Sequence, residues 1–163
     1  MSKKLILFVC TENRFRSPLA EYYFLSQLVM DSRMAEIAVD SAGTRAVAGR
    51  GAIDLLLNDP QLNASGHFSR HKAKPIDNAL VDQASLIITM EVNQKEALRV
   101  EYPAYRFKIK TLSQLADGIE YDINDLNNEL EFDRTIMAEL KMLVRRAYPG
   151  ILRAVNPRHA VEG

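Results

Sequence analysis

The sequence predicts an α/β fold: a single three-layer domain in which a four-stranded parallel sheet is flanked by helices, with a phosphate-type loop after the first strand. Three observations carry this prediction. Short apolar runs at residues 5–9, 37–39 and 86–88, and a fourth strand-like segment at 107–112, alternate with stretches of helical periodicity, the pattern of parallel strands joined by crossovers and covered on both faces. The first run passes into a helix through only the short segment 11–16. No repeat or low-complexity stretch interrupts the alternation, and 163 residues suffice for one domain with its own core.

Leu5-Ile6-Leu7-Phe8-Val9 reads as a buried strand ending at Cys10. Leu19, Tyr22, Tyr23, Leu25 and Leu28 recur at helical spacing, with Ser17 as N-cap and Pro18 as first helical residue. Residues 37–39 form a second short strand closing on Asp40-Ser41-Ala42-Gly43-Thr44, where Gly43 permits a turn beside the first loop. Residues 52–57 form a helix stopped near Asp59-Pro60, and a polar stretch carrying His67 and His71 follows. Pro75 opens a helical segment to Gln83. Residues 86–88 are a third buried strand ending at Thr89-Met90-Glu91, 92–101 are helical, and 107–112 form a fourth strand with Ile109 facing the core. Beyond the Asp117-Gly118 turn and the acidic loop 119–130, an amphipathic helix spans 131–154, broken late by Pro149-Gly150. Residues 1–163 read as a single domain whose end, 156–163, is a flexible tail. On such a sheet ligands bind at the carboxyl ends of the strands, so Cys10, Ser41, Glu91 and the 119–130 loop should gather there.

Strand, short loop and helix N-terminus aim several backbone N–H groups into one concavity and add the helix dipole, an arrangement suited to a phosphate. Cys10 sits where the same field stabilises a thiolate. Arg16 supplies a planar fork that can hold two phosphate oxygens at once. A lone cysteine is more often a small buried apolar residue. Here the flanking strand, Asn13 and the Ser17-Pro18 pair make Cys-x5-Arg-Ser a catalytic pattern instead.

Lys plus Arg and Asp plus Glu both total 21, which argues against a nucleic-acid or membrane-surface role. No apolar run is long enough to span a membrane, and the start of the chain carries only about six apolar residues, too few for a signal peptide's core. A cytoplasmic location and no membrane insertion are therefore expected. A single cysteine excludes an internal disulfide, and three scattered histidines argue against a metal site; no cofactor is expected.

These stretches resemble the low-molecular-weight protein tyrosine phosphatases over nearly the whole chain. FVCTENRFRSPLAE looks like that family's phosphate loop, and DSAGT at 40–44 like its second-strand turn. GHFSRHKAKPI at 66–76 and LIITME at 86–91 are similar to its middle segments, and DINDL at 122–126 falls at its acid loop. SAGTRAVAGRGA is similar to the bacterial branch found with capsule and exopolysaccharide tyrosine kinases.

The resemblance implies hydrolysis of phosphomonoesters, protein phosphotyrosine above all, through a cysteinyl-phosphate on Cys10. Thr11, Glu12, Asn13, Arg14, Phe15 and Ser17 would form the cradle with Arg16, and Ser17 would donate to the thiolate. Asn13, Ser41 and His71 would brace the loop, and Asp125 would be the general acid, with Asp122 as local rival. The implied partner is a phosphotyrosine-bearing protein, a bacterial tyrosine kinase among them. Four positions depart from the family pattern: Leu126 replaces a proline after the acid, Asn127 a tyrosine that walls the substrate ring, Glu12 brings a carboxylate into the loop, expected to point outward, and Arg14 stands at the usually aliphatic substrate-facing position. Two other functions fit the same fold. An arsenate reductase needs further cysteines, which this chain lacks; a phosphoprotein-binding relative with weak catalysis would fit the altered acid loop.

Many relatives carry a second cysteine where this chain has Phe15, and no other thiol is present to trap an oxidised Cys10 as a disulfide. Peroxide should therefore take Cys10 through the sulfenic to the sulfinic and sulfonic states. Activity should soon stop returning on addition of dithiothreitol, and phosphate should protect. Full recovery after prolonged peroxide would contradict this.

Overall fold

In the computed structural model, which describes residues 3–156, the strand that feeds the loop lies inside the sheet. β1 (Lys4–Cys10) is flanked by β2 (Ile37–Gly43) and β3 (Ala84–Thr89), with β4 (Ile109–Thr111) outermost, in the order β2-β1-β3-β4. Every pairing is parallel, and the register sets Cys10 against Gly43 and Val9 against Thr89. The chain therefore leaves all four strands at one edge.

Burial on both faces explains the unbroken apolar run of β1. Ile6 and Phe8 point into the larger core, against α1 (Arg16–Met30) and α7 (Leu130–Val155). Leu7 and Val9 point the other way, toward Val81 of α4 (Asn78–Gln83) and Leu98 of α5 (Val92–Glu101), as the two-residue period of a strand requires. Phe24 of α1 bridges sheet and helix layer, its ring 5.7 Å from Phe8 and 5.3 Å from Tyr148 of α7.

Several boundaries differ from the sequence-based expectation, each for a tertiary reason. β2 runs on to Gly43 because Asp40 and Ser41, polar in sequence, find partners: Lys74 Nζ at 2.6 Å for one, Asn13 Nδ2 at 3.0 Å for the other. Helical structure near residue 52 starts only at α2 (Asp54–Leu57), and α3 (His67–Arg70) is one turn too short for periodicity to reveal. Pro75 opens no helix. It bridges to Gly43, and α4 begins after Asp77, whose carboxylate accepts from Leu80 N–H. Residues expected to start the fourth strand form a 3-10 turn, Pro103–Lys108, which leaves Phe107 72% exposed. Leu112 already belongs to α6 (Leu112–Asp117), capped by Thr111.

α7 passes through Pro149 unbroken. The ring removes one helical hydrogen bond, but Ala147, Tyr148, Ile151 and Val155 on either side are buried and their packing outweighs the loss. The expected tail at 156–163 lies, beyond Asn156, outside the described residues. Among the described residues no helix is long and apolar enough to cross a membrane.

Candidate active site

The loop between β1 and α1 is held by its carbonyls. Cys10 O accepts from Thr44 N–H at 2.9 Å, Thr11 O from Arg45 N–H at 2.8 Å, Arg14 O from Ile53 N–H at 3.1 Å, and Phe15 O from Leu19 N–H at 3.0 Å. Asn13 O accepts from His71 Nε2 at 2.7 Å, which places a proton on that nitrogen. With these carbonyls turned outward, the peptide N–H groups turn inward; among the described residues those of 11–15 donate to no protein acceptor. Gly43 packs so closely beneath that a Cβ there would lie 2.5 Å from Thr11 O.

Asn13 makes the sharp bend, with φ 59°, in the left-handed region that asparagine tolerates better than most residues. Its side chain is fully used: Nδ2 donates to Ser17 Oγ at 2.9 Å and Ser41 Oγ at 3.0 Å, and Oδ1 accepts from Lys74 N–H at 3.0 Å. Ser17 departs from its expected place, because α1 starts at Arg16 with Phe15 as N-cap. Freed from capping, its hydroxyl lies 2.9 Å from Cys10 Sγ and 3.4 Å from Ala42 O. Asn13 Nδ2 already donates to Ser17 Oγ, so the hydroxyl's own proton is available to the closer sulfur. Cys10 is 3% exposed, at the end of β1.

Arg16 is 1% exposed. Its Nη1 donates to Glu91 Oε2 at 2.6 Å and Ile123 O at 2.7 Å, and its Nη2 to Asp125 Oδ2 at 3.3 Å. Nε is buried with no partner among the described residues, which leaves the Nε edge of the guanidinium free to donate to an oxyanion. Glu91 is itself fixed in a capping box with Gln94 at the start of α5, and Gln94 Nε2 reaches Thr11 Oγ1 at 3.0 Å.

The sequence-derived residues thus converge. Cys10, Asn13, Ser17, Ser41 and His71 form one hydrogen-bonded cluster, while Arg16, next to Ser17 in the chain, is held separately by Glu91, Ile123 O and, at the rim, Asp125. Phe15 contributes backbone only, its ring lying in the core at 2% exposure, and Glu12 is exposed and lines the mouth with Arg14 and Asp125. Asp122, the rival carboxylate, is committed elsewhere: its Oδ1 accepts from Val92 N–H at 2.8 Å. Leu126 anchors the acid loop by packing against the larger core where the family pattern has proline. Asn127 Oδ1 accepts from Glu129 N–H at 3.0 Å. Gln94 and Ile123 escaped the sequence reading, although the Glu91–Gln94 spacing is a capping-box signal. His67, left without a role, meets the buried Glu21 at 3.1 Å.

Asn13→Ala should test the brace. Loss of these buried hydrogen bonds together with an alanine in the left-handed region should cost about 2–4 kcal/mol in denaturant unfolding. The amides of Thr44, Arg45 and Ile53, which donate to the loop carbonyls, should also exchange faster. Unchanged stability and exchange would show that the loop holds its shape without this residue.

The wider comparisons agree with this geometry. A family model described as low molecular weight phosphotyrosine protein phosphatase matches residues 5–160. The chain is 29% identical over 166 residues to a low molecular weight protein-tyrosine-phosphatase of Streptomyces coelicolor, covering 97% of this chain and 96% of that one. It is 28% identical over 145 residues to a protein-arginine-phosphatase of Geobacillus stearothermophilus, covering 86% and 91%. A crystal structure of a YwlE mutant from Bacillus subtilis superposes with a TM-score of 0.81 at 26% identity, over 91% of this chain and 99% of that one. With the loop, its brace and its arginine in place, the chain belongs to the low molecular weight phosphotyrosine protein phosphatase family.

Proposed function

We propose that this site hydrolyses phosphomonoesters on proteins, phosphotyrosine above all, with Cys10 as nucleophile. The observation that supports it most is the inward set of unpaired N–H groups, closed by the free edge of Arg16, around the sulfur of Cys10. Such a cradle holds three equatorial oxygens of a phosphoryl group while a nucleophile below and a leaving group above stand in line. The thiolate, receiving the Ser17 proton in a hydrogen bond, forms the S–P bond as the P–O bond breaks. The electron pair goes to the leaving oxygen, which takes a proton from Asp125. Water then attacks phosphorus, gives its proton to Asp125, and returns the S–P electron pair to Cys10. Asp125 suits this role because its carboxyl is half exposed at the mouth, within reach of a leaving oxygen.

Its relatives' names divide between tyrosine and arginine phosphatases. Phosphotyrosine is favoured here by Arg14, whose Nε donates to Gly51 O at 2.7 Å and so fixes a guanidinium on the mouth wall with Arg50. The guanidinium of Arg14, itself a loop residue, disfavours that of phosphoarginine, while Glu12, Asp54, Asp125 and Asp133 lining the same mouth offset the two cations for acidic neighbours of a phosphotyrosine. A cytoplasmic setting, with a tyrosine kinase among the substrates, completes the reading.

Cys10→Ser should abolish turnover of phosphotyrosine peptides while still binding phosphate, and phosphoarginine should be a poor substrate for the wild type. A Cys10→Ser enzyme that kept more than about a hundredth of the wild-type rate would rule out covalent catalysis. Asp125→Asn should slow phenyl phosphate far more than p-nitrophenyl phosphate, by up to about 10²–10⁴-fold, because only the poorer leaving group needs the proton. Equal losses on both, or a larger loss in Asp122→Asn, would move the acid role away from Asp125.

A further inference from the structure

Two cavities meet at Asp54 and Leu55. One, of about 620 Å³, is the mouth of the phosphate loop, walled by Glu12, Arg14, Arg50 and Asp125. The other, of about 510 Å³, continues from it over α2 toward α7, between Asp59 and Pro60 on one side and Arg134 and Met137 on the other. On the phosphoprotein reading, the phosphorylated side chain enters the first beside Arg14 and Asp125. The second is large enough for further residues of a polypeptide.

We propose that this second groove seats the substrate polypeptide on one side of the phosphorylated residue and selects a basic side chain there. The inference rests on the phosphoprotein reading given above. Continuity supports it, since a chain leaving the mouth past Asp54 and Leu55 enters the groove directly. Charge supports it too. Among the described residues neither Asp54 nor Asp59 has an ion-pair partner. Asp59 Oδ1 caps the next turn, accepting from Gln61 and Leu62 N–H at 2.9 Å each, which leaves Oδ2 for an incoming cation. Leu55 and Met137 offer apolar surface for the methylene stem of a lysine or arginine. Two carboxylates, Asp54 and Asp59, against the single cation Arg134 leave the groove net negative, which favours a basic residue a few positions from the phosphorylated one.

Paired phosphotyrosine peptides test this, identical except for lysine or alanine two to five positions away, on either side. Each is compared with p-nitrophenyl phosphate on the wild type and on Asp54→Asn/Asp59→Asn, where asparagine keeps the capping oxygen at 59. The wild type should prefer the lysine peptide on one side by about three- to tenfold in kcat/KM, through KM, as exposed ion pairs allow. In the double variant the two peptides should come within about twofold of each other. On the wild type alone, about 0.5 M salt should shrink the preference similarly, so the test does not depend on the variant's folding. If p-nitrophenyl phosphate is not hydrolysed, the phosphatase reading itself fails and the groove with it. If it is hydrolysed but no lysine preference appears, or the preference survives both the variant and salt, the groove proposal alone is overturned. It is overturned equally if the substitutions alter self-association rather than peptide choice, since a second copy would then occupy the groove.

Discussion

The outward turn of the loop carbonyls is the constraint on which the rest depends. A short loop between a strand and a helix must satisfy its carbonyls somewhere, because buried polar groups without partners are costly. Here the 44–53 segment, His71 and α1 take them, and the N–H groups are left facing a common centre. Asn13 makes this possible by accepting a left-handed backbone and by spending every polar atom of its side chain on neighbours. Gly43 admits the loop by having no side chain to place against Thr11 O. The anion binding proposed for this loop would thus be a consequence of where the carbonyls point.

Burying Arg16 poses the second problem. A guanidinium at 1% exposure needs compensating charge, and Glu91, Ile123 O and Asp125 supply it from two segments of the far half of the chain. Those contacts tie the acid loop to the phosphate loop. They use one side of the guanidinium and leave the Nε edge free, so the same charge that anchors the loops remains able to bind an anion. Leu126 and Ile123, packed into the core below, hold that loop without the proline of the family pattern.

The parts that were legible in the sequence are those decided locally. β1, the loop and α1 follow one another within residues 4–30, and the chemistry of Cys10, Arg16 and Ser17 sits in their spacing. α5 begins and ends where its periodicity says. Less legible were features decided by distant packing: β2 extended through Asp40 and Ser41 because Lys74 and Asn13 meet them, and α7 continued through Pro149 because its flanking residues are buried. Ser17 as N-cap was a sound local reading defeated by a stronger partner, the sulfur of Cys10. Gln94 and Ile123 act on residues 83 and 107 positions away, a separation that no local pattern reports.

The central claim is that phosphorus passes through a covalent bond to Cys10. The most direct measurement is rapid acid quench of the enzyme during turnover of a phosphotyrosine peptide, followed by mass mapping of the phosphorylated fragment. The account predicts a transient phosphoryl group on the fragment carrying Cys10, formed and lost at rates consistent with turnover. Steady hydrolysis with no phosphoenzyme in a quench fast enough to catch it, or a phosphoryl group on any other residue, would contradict it.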